Sequence, residues 1–517
     1  MKVPEPVRLI GNLEENFYIL GKKHQTAFLA YYRRAFPASR WQETWQGLKQ
    51  QFTRSESLKL PESHWGQWLK SYCEGLDVSP RKYLELLGHV ERTLPVGGTS
   101  IFRWDAQSQT PEHLRLVDWP RAHAQGLELI FVEVTKTQKL LLVCLPGLAF
   151  LPLSAMNSQG LTVGLHSKFH PLTHPEGNPI SEAVINGLLQ STSVTELRRH
   201  LKSSQSQRLW GLHALDASGQ VLVMDIVGPQ VDVITADLKD APLLVFNNLP
   251  LSKIKHADSA EPPAFSHFCR ERREWCLDRL QNLSDGPALV ALTRAHKLHR
   301  APSPAVTLAT TQALSLQPGH QSLEVLVGEA PLWQQGSLVR WMNLFQGSMR
   351  THELIPTSYP KDEKHELEVR TQLSLAQLYK DQGQLTEAFH HIQMGLAMAE
   401  GELRAQTAWV WSYWQWQELK TKKDHLLLYR ELHEVLRRTS AQHRPHVQLL
   451  RFVLEVELAL SPTLTPEDIP GPIQHWAKRY LTLNALERAQ WCRGLDVRLD
   501  IKDIVPGEVW TETRQPV

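Results

Sequence analysis

Three histidines, His166, His170 and His174, recur every four residues, the spacing at which a helix would gather imidazoles on one face to ligate a metal. Pro171 and Pro175 interrupt that stretch. It therefore reads as a loop, and no metal is expected. Five cysteines, Cys73, Cys144, Cys269, Cys276 and Cys492, could supply thiolates. Their odd count and wide spacing argue against a disulfide framework and fit a reducing compartment. Cys269 and Cys276 have no second pair beside them, so zinc is not expected either. The run Trp409-Val-Trp411-Ser-Tyr-Trp414-Gln-Trp416 reads first as packing between helices, with a partner or acyl-chain groove as the alternative. His24 reads as a packed residue of the first helix rather than a catalytic one.

The elements that would position these residues change along the chain. Residues 8–95 are helical in pattern, with apolar residues at helical spacing from Asn16 to Phe36, a second helix from about His64 to Cys73, and Ser79-Pro80 opening a third. From Gly97 the pattern is β-rich: Thr99 to Trp104, Leu114 to Trp119, Leu127 to Thr135, Lys139 to Leu145, Leu161 to His166, and later Leu212 to Asp216, Val221 to Ile226 and Val231 to Thr235. Asp216-Ala-Ser-Gly219 is a hairpin turn signal. Helices Ile180 to Leu189 and Val194 to Leu201 interrupt the strands, with Ser181 and Ser193 as expected caps. A helix from Ser266 to Leu283 precedes strands Val306 to Leu314 and Ser322 to Gly328. Strands in two blocks with helices between them imply an α+β layered fold.

From about 332 the strands are expected to stop, and 333–496 read as helices only. The segment Ala376 to Ala388, with Tyr379, Gly383 and later Gly395, has tetratricopeptide spacing, in which small residues let two helices cross closely. One good repeat and two degenerate neighbours are too few for a free solenoid, so a helical layer docked on the first domain is expected. The division is thus a first domain over 1–331, helical in pattern over 1–95 and strand-rich over 97–331, followed by a second over 332–517.

The chain has 517 residues with 56 basic and 54 acidic side chains, a formal charge of +2 that offers no electrostatic case for nucleic acid or an anionic membrane. No apolar run is long enough to span a membrane and no signal peptide is visible, so the expected location is cytoplasmic.

Several fragments in order over residues 9 to 331 resemble the linear-amide hydrolase family of N-terminal-nucleophile (Ntn) enzymes, which includes acyl-coenzyme A:6-aminopenicillanic acid acyltransferase and, more distantly, choloylglycine hydrolases. Gly21-Lys-Lys-His24 is similar to the family's "G-x-x-H/Q-G" helix, with Gln25 in place of the second glycine. Glu74-Gly75-Leu-Asp-Val resembles "E-G-x-G-V", Gly97-Gly98-Thr99-Ser100-Ile101 resembles "G-C-T-S-F/I", and Arg115-Leu-Val-Asp118-Trp119 resembles "R-N-x-D-W". Leu145-Pro-Gly147 followed by Ala155-Met156-Asn157-Ser-Gln-Gly160-Leu161 is similar to "E-P-G … G-M-N-x-x-G-L", and Phe246-Asn247-Asn248-Leu249 to "x-N-H-F".

The resemblance implies a four-layer αββα Ntn sandwich and a cysteine freed by self-cleavage, whose thiolate attacks an amide or thioester with its own amine as base. It implies that Arg115 and Asp118 hold that amine. It also implies that Asn157 and Asn247 donate to the oxyanion, worth about 3–4 kcal/mol for one such donor. No cofactor is implied. Three positions depart from the pattern: Leu116, Asn248 and above all Gly98, which stands at the nucleophile position and has no side chain.

Gly98 is open to three readings: a natural pseudoenzyme, a replacement introduced into a cysteine parent, or transfer of the chemistry to Thr99. Against Thr99, its side chain should leave the strand on the opposite face from residue 98. Without the enzyme, Arg115 and Asp118 read as a structural ion pair and Asn157 as a turn residue. Two functions follow. One is an amidase or acyltransferase-like protein, for a small acyl-amide or acyl-thioester ligand, with the cysteine chemistry lost. The other is an inactive binding or scaffold protein that uses the cleft and recruits a peptide or protein through the helical region.

Overall fold

The structure is a computed structural model. It describes residues 5–35, 63–93, 97–105, 108–119, 127–168, 179–251 apart from 203 and 205, 263–283, 287–293, 310–327, 337–346, 350–356, 364–419 apart from 382, 421–439, 444–461, 463–469, 472–485, 487–488, 491, 496–498 and 503–505.

The chain opens with strand β1 (Val7–Leu9) and helices α1 (Leu13–Ala35), α2 (His64–Leu76) and α3 (Pro80–Thr93). Strands β2 (Gly97–Asp105), β3 (Thr110–Asp118), β4 (Glu128–Glu133), β5 (Lys139–Cys144), β6 (Ser154–Asn157) and β7 (Leu161–Ser167) follow. Helices α4 (Ile180–Gln190) and α5 (Val194–Leu201) lead to β8 (Ser206–Asp216), β9 (Gln220–Gly228), β10 (Gln230–Asp237) and β11 (Leu243–Asn247). Then come α6 (Pro263–Gln281), α7 (Ala288–Thr293), β12 (Thr310–Gln317), β13 (Ser322–Val327), β14 (Ser337–Met342) and β15 (Arg350–Pro356).

The strands form two sheets. The first has eight strands in the order β1-β4-β5-β6-β7-β8-β9-β10, and the second has seven in the order β11-β2-β3-β12-β13-β14-β15. Period-two alternation divides each strand between two faces. Leu161, Val163, Leu165, Leu212, Ala214 and Met224 turn outward under α1 to α5 in one core. Ile101, Leu114, Leu116 and Val245 of the second sheet turn outward under α6 and α7 in another. The inner faces meet in two apolar patches, one joining Phe131, Leu141 and Met156 to Leu314, Val325 and Trp341, the other built on Phe102, Leu215 and Val223. The order of layers is helix, sheet, sheet, helix.

Two glycines set the helical layer. A Cβ on Gly21 of α1 would collide with the Tyr72 carbonyl, and one on Gly75 of α2 with the Tyr18 carbonyl. The helices cross at backbone contact, and Gln25 closes the crossing by donating to the Gly75 carbonyl at 3.1 Å. His24 is buried there, between the Tyr72 hydroxyl at 2.8 Å and the Glu128 carboxylate at 2.7 Å.

Most sequence boundaries fall within a few residues of the observed ones, and three expectations need correction. The strands do not stop near 332, because β14 and β15 extend the second sheet. Ser181 is not a cap: α4 begins at Ile180 after Pro179, with no side-chain cap, whereas Ser193 does cap α5 by accepting from the Glu196 N–H at 3.3 Å. His166 lies in β7 rather than a loop, and His170 and His174 fall outside the described residues.

The remainder is helical: α8 (Lys364–Asp381), α9 (Leu385–Met398), α10 (Gly401–Glu418), α11 (Lys422–Arg438), α12 (Arg444–Leu458) and α13 (Pro472–Thr482). A short antiparallel pair, β16 (Asp496–Arg498) and β17 (Asp503–Val505), follows them. Helices α8 and α9 form a hairpin turned by Gly383 at φ +76°, and Gly395 of α9 packs directly on Leu373 of α8. The tryptophan run is core. Trp409 stacks on His446 at 4.8 Å and Trp414 donates to the Val497 carbonyl at 2.7 Å.

Because each glycine lies against opposing backbone, Gly75→Ala should lower stability by about 1–3 kcal/mol, read from the urea midpoint, with Gly21→Ala alike. An unchanged midpoint would mean that the helices do not cross there.

Candidate functional site

The nucleophile position lies near the start of β2. Gly97 pairs with Asp118 and Gly98 with Val117 of β3, and Asn247 of β11 lies opposite Thr99. Gly98 has φ +148°, a region that side-chain-bearing residues rarely adopt. A Cβ there would collide with the Leu116 carbonyl oxygen and crowd the Val117 Cα at 3.2 Å. The Asn248 side chain lies over the two glycines, its Oδ1 accepting from the Gly98 N–H at 2.8 Å. The backbone thus leaves no room for a cysteine side chain at this position.

Thr99 shares the outer face of the sheet with its partner Leu116, under α6. Its side chain is fully buried and its Oγ1 has no hydrogen-bond partner. It therefore lies on the face opposite Arg115.

Arg115 points between the sheets and is fully buried. Its Nε donates to Ser154 Oγ at 3.2 Å. Its Nη1 donates to Ser100 Oγ at 2.8 Å and contacts His166 Nε2. Its Nη2 donates to the Leu153 and Leu165 carbonyls at 3.0 and 2.8 Å. A guanidinium has five N–H groups, and all five are occupied. Gly164 makes the space, since a Cβ on it would lie 2.6 Å from the Arg115 Cζ. Burial pulls the guanidinium down to about 9, which leaves it charged at neutral pH.

The expected pairing of Arg115 with Asp118 is replaced by another. Residues three apart on a strand leave on opposite faces. Asp118 points outward, where Arg272 of α6 holds both carboxylate oxygens and Thr310 Oγ1 donates to Oδ1 at 2.6 Å. Arg272 was not singled out in the sequence.

The two asparagines are likewise occupied. Asn157 Nδ2 donates to the Leu188 and Ser191 carbonyls, both at 2.8 Å, and its Oδ1 accepts from the N–H groups of Gln159 and Leu161. It ties the turn after β6 to the end of α4. Asn247 Nδ2 donates to the Cys269 carbonyl of α6 at 2.5 Å and its Oδ1 accepts from the Leu249 N–H at 3.2 Å.

A polar band between the sheets escaped the sequence reading. Ser100 Oγ lies 3.0 Å from His113 Nε2 and 3.0 Å from His166 Nε2. His113 Nδ1 lies 3.0 Å from Thr162 Oγ1. His213 stacks on His166 with ring centroids 4.3 Å apart, and neither of its ring nitrogens has a hydrogen-bond partner. Lys168 and Asp225 form a buried ion pair. Lys168 also donates to the Leu249 carbonyl at 3.0 Å, and Asp225 accepts from the Leu251 N–H at 2.6 Å. Burial, followed by nearby cations (Arg115 for all three, Lys168 also for His166 and His213), holds all three imidazoles well below the usual histidine range.

No protein-family model matches the chain, and no curated protein matches it in sequence. Solved structures similar to it include a Caenorhabditis elegans N-acylethanolamine-hydrolyzing acid amidase ortholog, at 12% identity and TM-score 0.32, covering 47% of this chain and 99% of that one. Another is a mutant of conjugated bile acid hydrolase from Clostridium perfringens, at 12% identity and TM-score 0.34, covering 51% and 99%. A third is penicillin V acylase from Agrobacterium tumefaciens, at 11% and TM-score 0.29, covering 51% and 100%. Scores this low do not establish a shared topology, so the geometry has to carry any functional reading.

Two outcomes follow. Histidines kept neutral in the folded state take up protons only on unfolding. Their contribution is therefore full above about pH 6.5, the unfolded value, and drains away as pH falls below it. With three such groups the slope should approach about 4 kcal/mol per pH unit in urea titrations, and a midpoint flat to pH 5 would contradict the buried band. Asp118→Asn should cost about 3–5 kcal/mol, because Arg272 is left buried without its carboxylate; an unchanged melting temperature would contradict that pairing.

Proposed function

We propose that this chain is an Ntn amidase/acyltransferase-like protein in which the standard cysteine chemistry is lost, and that it acts through binding rather than self-processing. The reading rests on Gly98. Its positive φ, the Leu116 carbonyl where a Cβ would go and the Asn248 bond to its N–H together favour a native glycine over a replaced cysteine. The described cysteines supply no substitute: Cys73, Cys144, Cys269 and Cys276 are all buried. Burial also raises the thiols of Cys73, Cys144 and Cys276, the last to about 12, so none is a ready thiolate.

The residues shared with the family pattern are each engaged by the fold, which supports their retention for structure. In this reading the ligand is a small acyl-amide or acyl-thioester held without turnover by the Ntn route. A peptide or protein docks on the tetratricopeptide-like helices.

Intact mass under denaturing conditions tests this. The chain should stay single, near 59.1 kDa, through prolonged incubation. Fragments cut before Thr99 would overturn the reading and make threonine the nucleophile. Gly98→Cys should also remain uncleaved and lose about 2–4 kcal/mol of stability from strain and overlap. Self-cleavage before residue 98 in that variant would show that a cysteine fits after all.

A further inference from the structure

The geometry points to Ser100 as a base-activated nucleophile, independent of the Ntn route. Ser100 is two residues beyond Gly98, and Gly98 and Ser100 fall on the same face of β2 by strand alternation. Thr162 Oγ1 donates its one hydrogen to the Leu215 carbonyl at 3.1 Å. It can therefore only accept from His113, 3.0 Å away, which puts the His113 proton on Nδ1. Nε2 is left with a lone pair directed at Ser100 Oγ, also 3.0 Å away. Nucleophile, base and orienting group thus stand in sequence, with His166 Nε2 a second imidazole nitrogen 3.0 Å from the same oxygen. Burial keeps His113 neutral, the form that can accept a proton. Arg115 Nη1 donates to the same oxygen at 2.8 Å, which eases removal of its proton.

The chemistry that fits is attack on an activated acyl ester. Ser100 Oγ bonds to the carbonyl carbon and its proton passes to His113 Nε2. The ester's alcohol leaves as it takes that proton, and water then releases the acid and restores the serine. Ser100 is fully buried in this structure, so the labelling reagent must be small.

A small alkyl fluorophosphonate tests this on the full chain. Oγ bonds to phosphorus, fluoride leaves and His113 takes the proton. Tryptic mass mapping should find the adduct on the peptide containing Ser100 and on no other serine, while the chain remains uncleaved. His113→Gln should slow labelling about 100-fold or more. Thr162→Val, which removes the acceptor that fixes the tautomer but keeps the shape, should slow it less. Unactivated serines do not react with this reagent even in an unfolded chain, so an adduct on Ser100 requires the folded arrangement. An unmodified Ser100 in folded protein, or labelling as fast in His113→Gln, overturns the proposal. Neither result bears on whether residue 98 self-processes.

Discussion

The burial of Arg115 between two sheets is the constraint on which much of this structure depends. Arg115 is charged and sealed from water without a carboxylate bonded to it, so its hydration must be replaced by acceptors in the right places. Those acceptors come from both sheets. Ser100 is on the neighbouring strand, and Ser154, His166 and the carbonyls of Leu153 and Leu165 are across the interface. Gly164 is required beneath the guanidinium. Burial above all, with the cation adding to it, keeps the surrounding imidazoles neutral, and neutrality lets three of them share one interior.

That arrangement changes what a resemblance to amidases means. Arg115, Asp118, Asn157 and Asn247 would be read as a catalytic set from their order along the chain. In space they separate into an inter-sheet node, an outward ion pair with Arg272, a turn clamp and a helix fastening. Each makes contacts that hold neighbouring elements together. Gly98 and Asn248 complete the same picture, since the Leu116 carbonyl lies where a Cβ on residue 98 would stand and the Asn248 amide holds the Gly98 N–H.

Much of the fold was legible because it is written in local periodicity. The helical spacing of 16–36 marked the first helix, Asp216 to Gly219 a hairpin, and the β-rich runs most of the strands. Arg115 and Asp118 were expected to pair, although an interval of three on a strand reverses the face and separates them. The polar band was harder to see. Ser100, His113, Thr162, His166 and His213 lie on strands β2, β3, β7 and β8, and only cross-sheet packing brings them together. The visible trace was polar residues at alternate positions of strands whose other face is apolar. Strands β14 and β15 were missed because the segments leading into them resemble loop and helix in composition.

The most direct test is urea unfolding of Arg115→Met with the chain mass monitored alongside. If Arg115 is the node that joins the sheets, the variant should lose at least about 3 kcal/mol, because buried acceptors on both sheets are left without donors. A variant as stable as the parent would contradict this and return Arg115 to the role of a free active-site cation.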